Sequence, residues 1–255
     1  MLLDQILSTD IYRFLVVFTR LGAALMFLPG FGGTLVQTRI RLLFGLSLTF
    51  LLLPVLGPKL PPAPQHPAAL ALLLVGEAAV GIFLAMVAQF LFGAINVAGS
   101  VISYLVGLTN AFSFDAVSQE QSQMLTGLLS NLALVLVFAG GMDKLMLRAL
   151  TDSYDLFQPG APLMVGDAAM TLAHLMSSIF SLGIRLAAPV MVFGIVFQAG
   201  LGLLSRLVPQ MQVFFVATPL QVLIGMWMIM VALPVIMLLF LQAFQAGMQP
   251  YLAPG

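Results

Sequence analysis

Long uncharged runs, separated by short polar or proline-rich breaks, set the pattern of this chain. Apolar segments fall at about residues 11–28, 42–56, 68–98, 124–141, 172–204 and 213–246. Their length and continuity predict about six apolar helical segments, and therefore an all-α, membrane-associated fold. Pro29-Gly30-Phe31-Gly32-Gly33 separates the first two segments. Residues 54–67 hold six prolines in fourteen positions. They are expected to be non-helical, because proline lacks the N–H and clashes with the preceding turn. Residues 143–167 carry six of the chain's eighteen charges and predict a short amphipathic helix followed by a loop at Pro159-Gly160. No internal repeat is present, so residues 1–255 read as one polytopic unit.

Two lengths do not suit a plain membrane bundle. Residues 78–114 contain no charged side chain, and a helix of that length would extend about 55 Å against a hydrocarbon core of roughly 30 Å. Segments 172–204 and 213–246 would each reach about 50 Å if helical, with only a short connection around Pro209. They predict an antiparallel hairpin of overlong helices, bent at Pro189, Pro219 and Pro234. Arg206, Pro209 and Gln210 mark its turn. Partner helices could bury the excess, which a lone hairpin would push beyond the bilayer.

Composition supports the membrane reading and removes several others. The chain is 61% hydrophobic and 7% charged, with a mean hydropathy of +1.12, whereas soluble domains carry about 25% charged residues. Zero net charge and the lack of a basic run give no sign of nucleic-acid binding. There is no cysteine, and His66 and His174 are too few and too isolated for a metal centre. The acidic start, residues 1–10, lacks the basic region of a signal peptide, so the first apolar segment is expected to be retained as a helix. Assigning six alternating crossings puts Arg39, Arg41 and Arg206 on one side and Lys59, Lys144 and Arg148 on the other, a balance that sets no orientation. No HExxH, GxGxxG, Walker A or GxSxG pattern appears, which argues against an enzyme and implies no cofactor.

Four groups of residues could carry function. Gly99, Ser103 and Gly107 recur at helical spacing and would admit a close neighbouring backbone, with Asn96, Ser100 and Tyr104 beside them. That stripe is either an interhelical packing face or the lining of a conduit. The polar segment 107–123 is either a solvated connection or a loop that enters a lumen, with its phenylalanines as a seal. Glu77 and Arg185 stand within otherwise apolar helices, where a charge costs roughly 2.5–3.5 kcal/mol at mid-depth. They could pair with each other structurally or serve ion coupling. Met226, Met228 and Met230 suit ordinary gap-filling or a deformable gasket.

Several stretches, in order, carry a family resemblance. They are Arg20 with Pro29-Gly30-Phe31-Gly32, Arg39-Ile40-Arg41, Leu52-Leu53-Pro54, and Gly76-Glu77-Ala78-Ala79-Val80-Gly81. Ala98-Gly99-Ser100 through Gly107-Leu108 follow, then Phe114-Asp115, Ser153 with Pro159-Gly160, and Arg185-Leu186-Ala187-Ala188-Pro189. The last runs from Gly202 through Arg206 and Pro209-Gln210 to Phe214. Together they span essentially the whole chain, which resembles the FliR/SpaR/YscT family of type III export-gate subunits. Gln212 stands where the family usually has Asn, Ala116 is close to a usual proline, and Met142-Asp143 replaces a usual Gly-His.

The resemblance implies a specific assembly. FliR-like subunits join FliP and FliQ in a helical ring of hairpins, with FlhB and FlhA as further partners, unfolded export substrates as cargo and membrane lipid around. Residues 1–167 would be the FliP-like part and 168–255 the FliQ-like hairpin. Such rings lie partly above the plane of the bacterial inner membrane, within the flagellar basal body. The family's plug loop corresponds to segment 107–123, which makes Leu108, Asn110, Phe112, Ser113 and Phe114 the candidate gate. The alternative is a stand-alone secondary transporter or channel using Glu77 and Arg185.

Overall fold

The computed structural model describes residues 2–33, 36–107, 122–161, 165–207 and 213–252. Among these residues the fold is all-α, without a strand. In chain order the helices are α1 (Leu2–Phe27), α2 (Thr38–Leu56), α3 (Pro67–Leu105), α4 (Ser122–Ala139), α5 (Met142–Leu156), α6 (Val165–Leu207) and α7 (Val213–Met248). Short 3₁₀ turns follow α2 at Gly57–Lys59 and α7 at Gln249–Tyr251. Among the described residues four helical stretches, Thr38–Lys59, Pro67–Leu105, Gly166–Leu207 and Ala217–Tyr251, are long and apolar enough to cross a membrane. The protein is an all-α membrane protein.

Helix boundaries follow local chemistry, with one departure from the sequence expectation. α2 continues through Pro54 to Leu56 and passes into a 3₁₀ turn containing Pro58. The segment expected to be non-helical from residue 54 therefore starts later. A proline near a helix end removes one N–H and leaves the remaining ladder usable, and the Gly57 N–H still reaches the Leu53 carbonyl. α3 then starts at Pro67, where the missing N–H costs nothing. α6 and α7 run unbroken through Pro189, Pro219 and Pro234. The charged segment forms α5, whose buried face is Met146, Ala149, Leu150, Ser153 and Tyr154. Gly160 turns the chain after it at φ +82°.

The fold divides into two compact units. The first comprises Met1–Phe90, Gly141–Leu175 and Gln245–Gly255, and the second Leu91–Gly140 and Met176–Phe244. In the first unit α1 buries Val17, Leu21, Ala24 and Leu25 on one face, the three- and four-residue spacing of a helix packed along one side. Here α3 comes close: a Cβ added at Gly81 would stand 2.2 Å from the Arg20 carbonyl oxygen. The proline-rich segment is fastened to the same unit by the Tyr12 hydroxyl, which donates to the Pro61 carbonyl at 3.2 Å, and by the Lys59–Asp155 ion pair at 2.6 Å.

In the second unit the later part of α3 supplies the core, with Ala94, Ile95, Ala98 and Ile102 fully buried. Glycines on neighbouring helices let it approach closely. A Cβ at Gly183 of α6 would lie 2.7 Å from Val97, and one at Gly194 would lie 2.9 Å from Leu105. One at Gly225 of α7 would lie 2.6 Å from Val106. Phe92 meets Phe240 and Phe244 edge-on, at 5.3 and 5.6 Å between ring centroids. Gly81→Ala is expected to destabilise the protein by about 1–3 kcal/mol, because backbone must shift to admit the methyl group. Gly127→Ala, where a Cβ meets nothing within 4 Å, should instead stabilise by up to about 1 kcal/mol through helix propensity. Thermal unfolding of the detergent-extracted complex containing each variant compares the two.

Candidate functional site

A closed polar centre forms in the first unit around Arg20 of α1. Arg20 is the one charge in an apolar stretch running from Phe14 to Leu28, and its side chain is 0% exposed. Its Nε donates to Glu77 Oε2 of α3 at 2.6 Å, and Glu77 is 2% exposed. One terminal nitrogen donates to Ser153 Oγ at 3.1 Å and the other to the Phe157 carbonyl at 2.9 Å. The guanidinium also lies 4.0 Å above the Tyr154 ring. Ser153 in turn donates to the Leu150 carbonyl at 2.7 Å, so its oxygen both accepts and donates.

This is a planar guanidinium used for its geometry. Its fork reaches three separate acceptors while one face stacks on an aromatic ring, which a lysine ammonium cannot do. Burial of two charges is expensive, and the pair persists because each of the three guanidinium nitrogens finds an acceptor. The arrangement ties α1, α3, the end of α5 and the residue that follows it to one point. Chemically it is a staple: the Glu77 carboxylate is engaged by Arg20 inside a buried core.

The expected partner of Glu77 is thus corrected. Arg185, anticipated as a buried ionisable group and a possible mate for Glu77, is exposed on α6, and Arg20 takes that role. α6 turns Leu186, Ala187 and Val190 inward, and the polar head of Arg185 falls on the opposite side. The signal for Arg20 was present in the sequence as the one charge of an apolar stretch, residues 14–28, matching the lone Glu77. Ser153 and Tyr154 give no such signal, since only the fold brings α5 to that point.

The second unit contains the small-residue stripe. Gly99 faces α4: its added Cβ would stand 2.9 Å from Thr126 Cα. Ser103 is 1% exposed, and its hydroxyl donates to the Gly99 carbonyl at 2.7 Å. Gly107 lies just past the end of α3, at φ +82°, against the Gln221 side chain. It ends the helix instead of continuing its face, because the left-handed conformation stops the ladder. Beside this stripe Asn96, Ser100 and Tyr104 are exposed. Ser130 of α4 donates to Asn96 Oδ1 at 2.7 Å, and the Ser100 hydroxyl returns to the Asn96 carbonyl at 2.9 Å. An uncharged polar strip therefore runs along the outside of otherwise apolar helices. Arg206 is exposed in the last turn of α6. Leu108, Asn110, Phe112, Ser113, Phe114, Pro209 and Gln210 lie outside the described residues.

Breaking the Arg20–Glu77 pair one partner at a time leaves an uncompensated buried charge. Arg20→Met and Glu77→Leu are each expected to cost about 3–5 kcal/mol. The double variant should recover much of that loss. Unfolding midpoints of the detergent-extracted complex that contains the chain, together with the chain's abundance in membranes, read the comparison.

Comparison with known proteins covers nearly the whole of this architecture. The family described as bacterial export proteins, family 1, matches residues 11–247. The flagellar biosynthetic protein FliR of Caulobacter vibrioides is 34% identical over 224 residues, covering 88% of this chain and 89% of that protein. FliR of Bacillus subtilis is 26% identical over 234 residues, covering 91% and 90%. The secretion system apparatus protein SsaT of Salmonella typhimurium is 24% identical over 163 residues, covering 64% and 63%. With a family match over most of its length and a relative above 30% identity across the same span, the chain belongs to the bacterial export proteins, family 1, the FliR/SpaR/YscT family.

Proposed function

We propose that this chain is a core subunit of a flagellar type III protein-export gate, forming with FliP and FliQ a conduit for unfolded substrates. The coarser statement, a subunit of a type III export apparatus, follows from the family and from relatives named for flagellar biosynthesis and for a secretion apparatus. One observation carries the finer reading: helices of great length leave most of their apolar surface uncovered. α3, α6 and α7 have 39, 43 and 36 residues, or roughly 55–65 Å each at 1.5 Å per residue. Only 22–33% of the apolar window in each candidate span is buried within the chain. A 30 Å hydrocarbon layer cannot cover all the rest, whereas further helices of the same kind can.

On this reading residues 1–167 act as the FliP-like part and 168–255 as the FliQ-like hairpin. The assembly sits in the inner membrane within the basal body, partly above the bilayer plane, with FlhB and FlhA alongside. Segment 107–123 serves as the plug of the resting conduit: Leu108, Phe112 and Phe114 seal it, and Asn110 and Ser113 line it. The exposed uncharged strip of Asn96, Ser100 and Tyr104 suits a watery lumen that must hold no fixed charge against passing chains. A stand-alone transporter coupled through Glu77 and Arg185 is disfavoured, since Glu77 is occupied by Arg20 and Arg185 is exposed.

Deleting residues 110–113 in the assembled complex is expected to make membranes leaky to ions or small solutes. Permeability identical to that of the intact complex, with assembly preserved, would exclude the plug.

A further inference from the structure

Charge on α6 is spaced to the thickness of a bilayer. Arg185 and Arg206 are both exposed, and the twenty residues between them carry no charge. Twenty helical residues rise about 30 Å, the depth of a hydrocarbon core. At 3.6 residues per turn the two arginines lie about 60° apart around the helix, on one side of it. On that side the exposed residues between them are apolar, among them Val192, Val196 and Leu203. Before Arg185 the same line carries Ser178 and Ser181, which are exposed. Phe180 and Ile184 are exposed as well, but they lie more than a quarter-turn away around the helix.

Neither arginine is answered by a carboxylate of the chain. None of the ion pairs among the described residues includes Arg185 or Arg206. A charge at mid-depth in hydrocarbon is costly, whereas one at the boundary reaches the headgroups along its own apolar stem. The Cα–Cβ bonds of a helix tilt toward its N-terminus, which directs Arg185 away from the apolar window. The guanidinium fork matches two phosphate oxygens at once. α7 changes character at a similar height, where exposed Leu238 and Leu239 give way to exposed Gln242. That height is read through α3. Phe240 meets Phe92, and the next residue, Gly93, faces Ile179 of α6.

We propose that Arg185 and Arg206 hold lipid phosphates at the two faces of the bilayer, with residues 186–205 as the part of α6 inside the hydrocarbon. A lipid surface is then the partner on this side of the helix, and the flank of Phe180 and Ile184 is left for other subunits. The part of α6 before Arg185 stands outside the bilayer with its serines toward water. The helix exceeds the hydrocarbon thickness because only half of it crosses. This deepens, and rests on, the reading that the assembly lies partly above the bilayer plane.

The test uses the full chain assembled with its partner subunits in vesicles of phosphatidylethanolamine and phosphatidylglycerol. The chain has no cysteine, so Ser177→Cys, Ser181→Cys and Val196→Cys each place a single thiol in it. A charged, impermeant thiol reagent on both sides of the vesicle should modify the two serine positions about tenfold faster than Val196→Cys, because the reacting thiolate needs water. A fluorophore attached at Val196→Cys before reconstitution should be quenched by lipids brominated in their acyl chains, and one at Ser177→Cys should not. Adding Arg185→Leu to Ser181→Cys lengthens the apolar run and should slow its modification about tenfold, whereas Arg185→Lys preserves the rate. An unchanged rate with Arg185→Leu, or its failure to assemble, overturns the lipid contact of Arg185. Val196→Cys modified as fast as Ser177→Cys puts this face on water; Val196→Cys neither modified nor quenched puts it against protein. Either result overturns the lipid proposal and leaves the placement above the bilayer plane standing. Acyl-chain quenching at Ser177→Cys overturns both.

Discussion

Apolar helices longer than the bilayer is thick impose the constraint on which the rest of this protein depends. Each must satisfy its backbone internally, which the α-helix does, and must then find cover for a side-chain surface that water rejects. Lipid covers about 30 Å of it. The chain's own packing buries 22–33% of the apolar window in each candidate span. The chain belongs to a family of bacterial export proteins, and further apolar cover from other subunits is what the proposed assembly would supply.

Within the chain, two different devices hold the helices together. The first unit adds to its close approach at Gly81 a buried ion pair with auxiliary hydrogen bonds, in which Arg20 gathers Glu77, Ser153 and Phe157 around one guanidinium. The second unit has no such centre among its described residues and relies on glycine. Gly99, Gly183, Gly194 and Gly225 each remove a side chain where another helix must pass. The contrast has a physical reason. A satisfied charge network fixes one geometry strongly, while glycine contacts gain dispersion energy and leave direction to the occasional hydrogen bond. Gln221 and Ser130 supply such bonds in the second unit.

Much of this was legible in the sequence, and the exceptions are instructive. Uncharged runs located the long helices, because helix periodicity and hydropathy are local properties. Pro54 misled, since a proline's effect depends on how near it stands to a helix end, which composition does not reveal. Glu77 was singled out by its isolation, yet its partner was not, because pairing is a matter of which faces meet. Arg185 shared the same isolation but sits on the outer side of α6. Gly99 was found through its spacing; Gly183 and Gly194, eleven residues apart, follow a longer helical repeat matched to Val97 and Leu105. Gln221 was unreadable in advance, since nothing in sequence links it to a carbonyl more than a hundred residues away.

The central claim is that this chain completes its fold as one subunit of a larger membrane assembly. The most direct measurement is the mass of the detergent-extracted particle containing it, with FliP and FliQ either co-produced or withheld. The account predicts a complex much heavier than the 27.2 kDa chain when the partners are present, and an unstable or aggregating chain when they are absent. A folded, stable monomer that ignores both partners would contradict it.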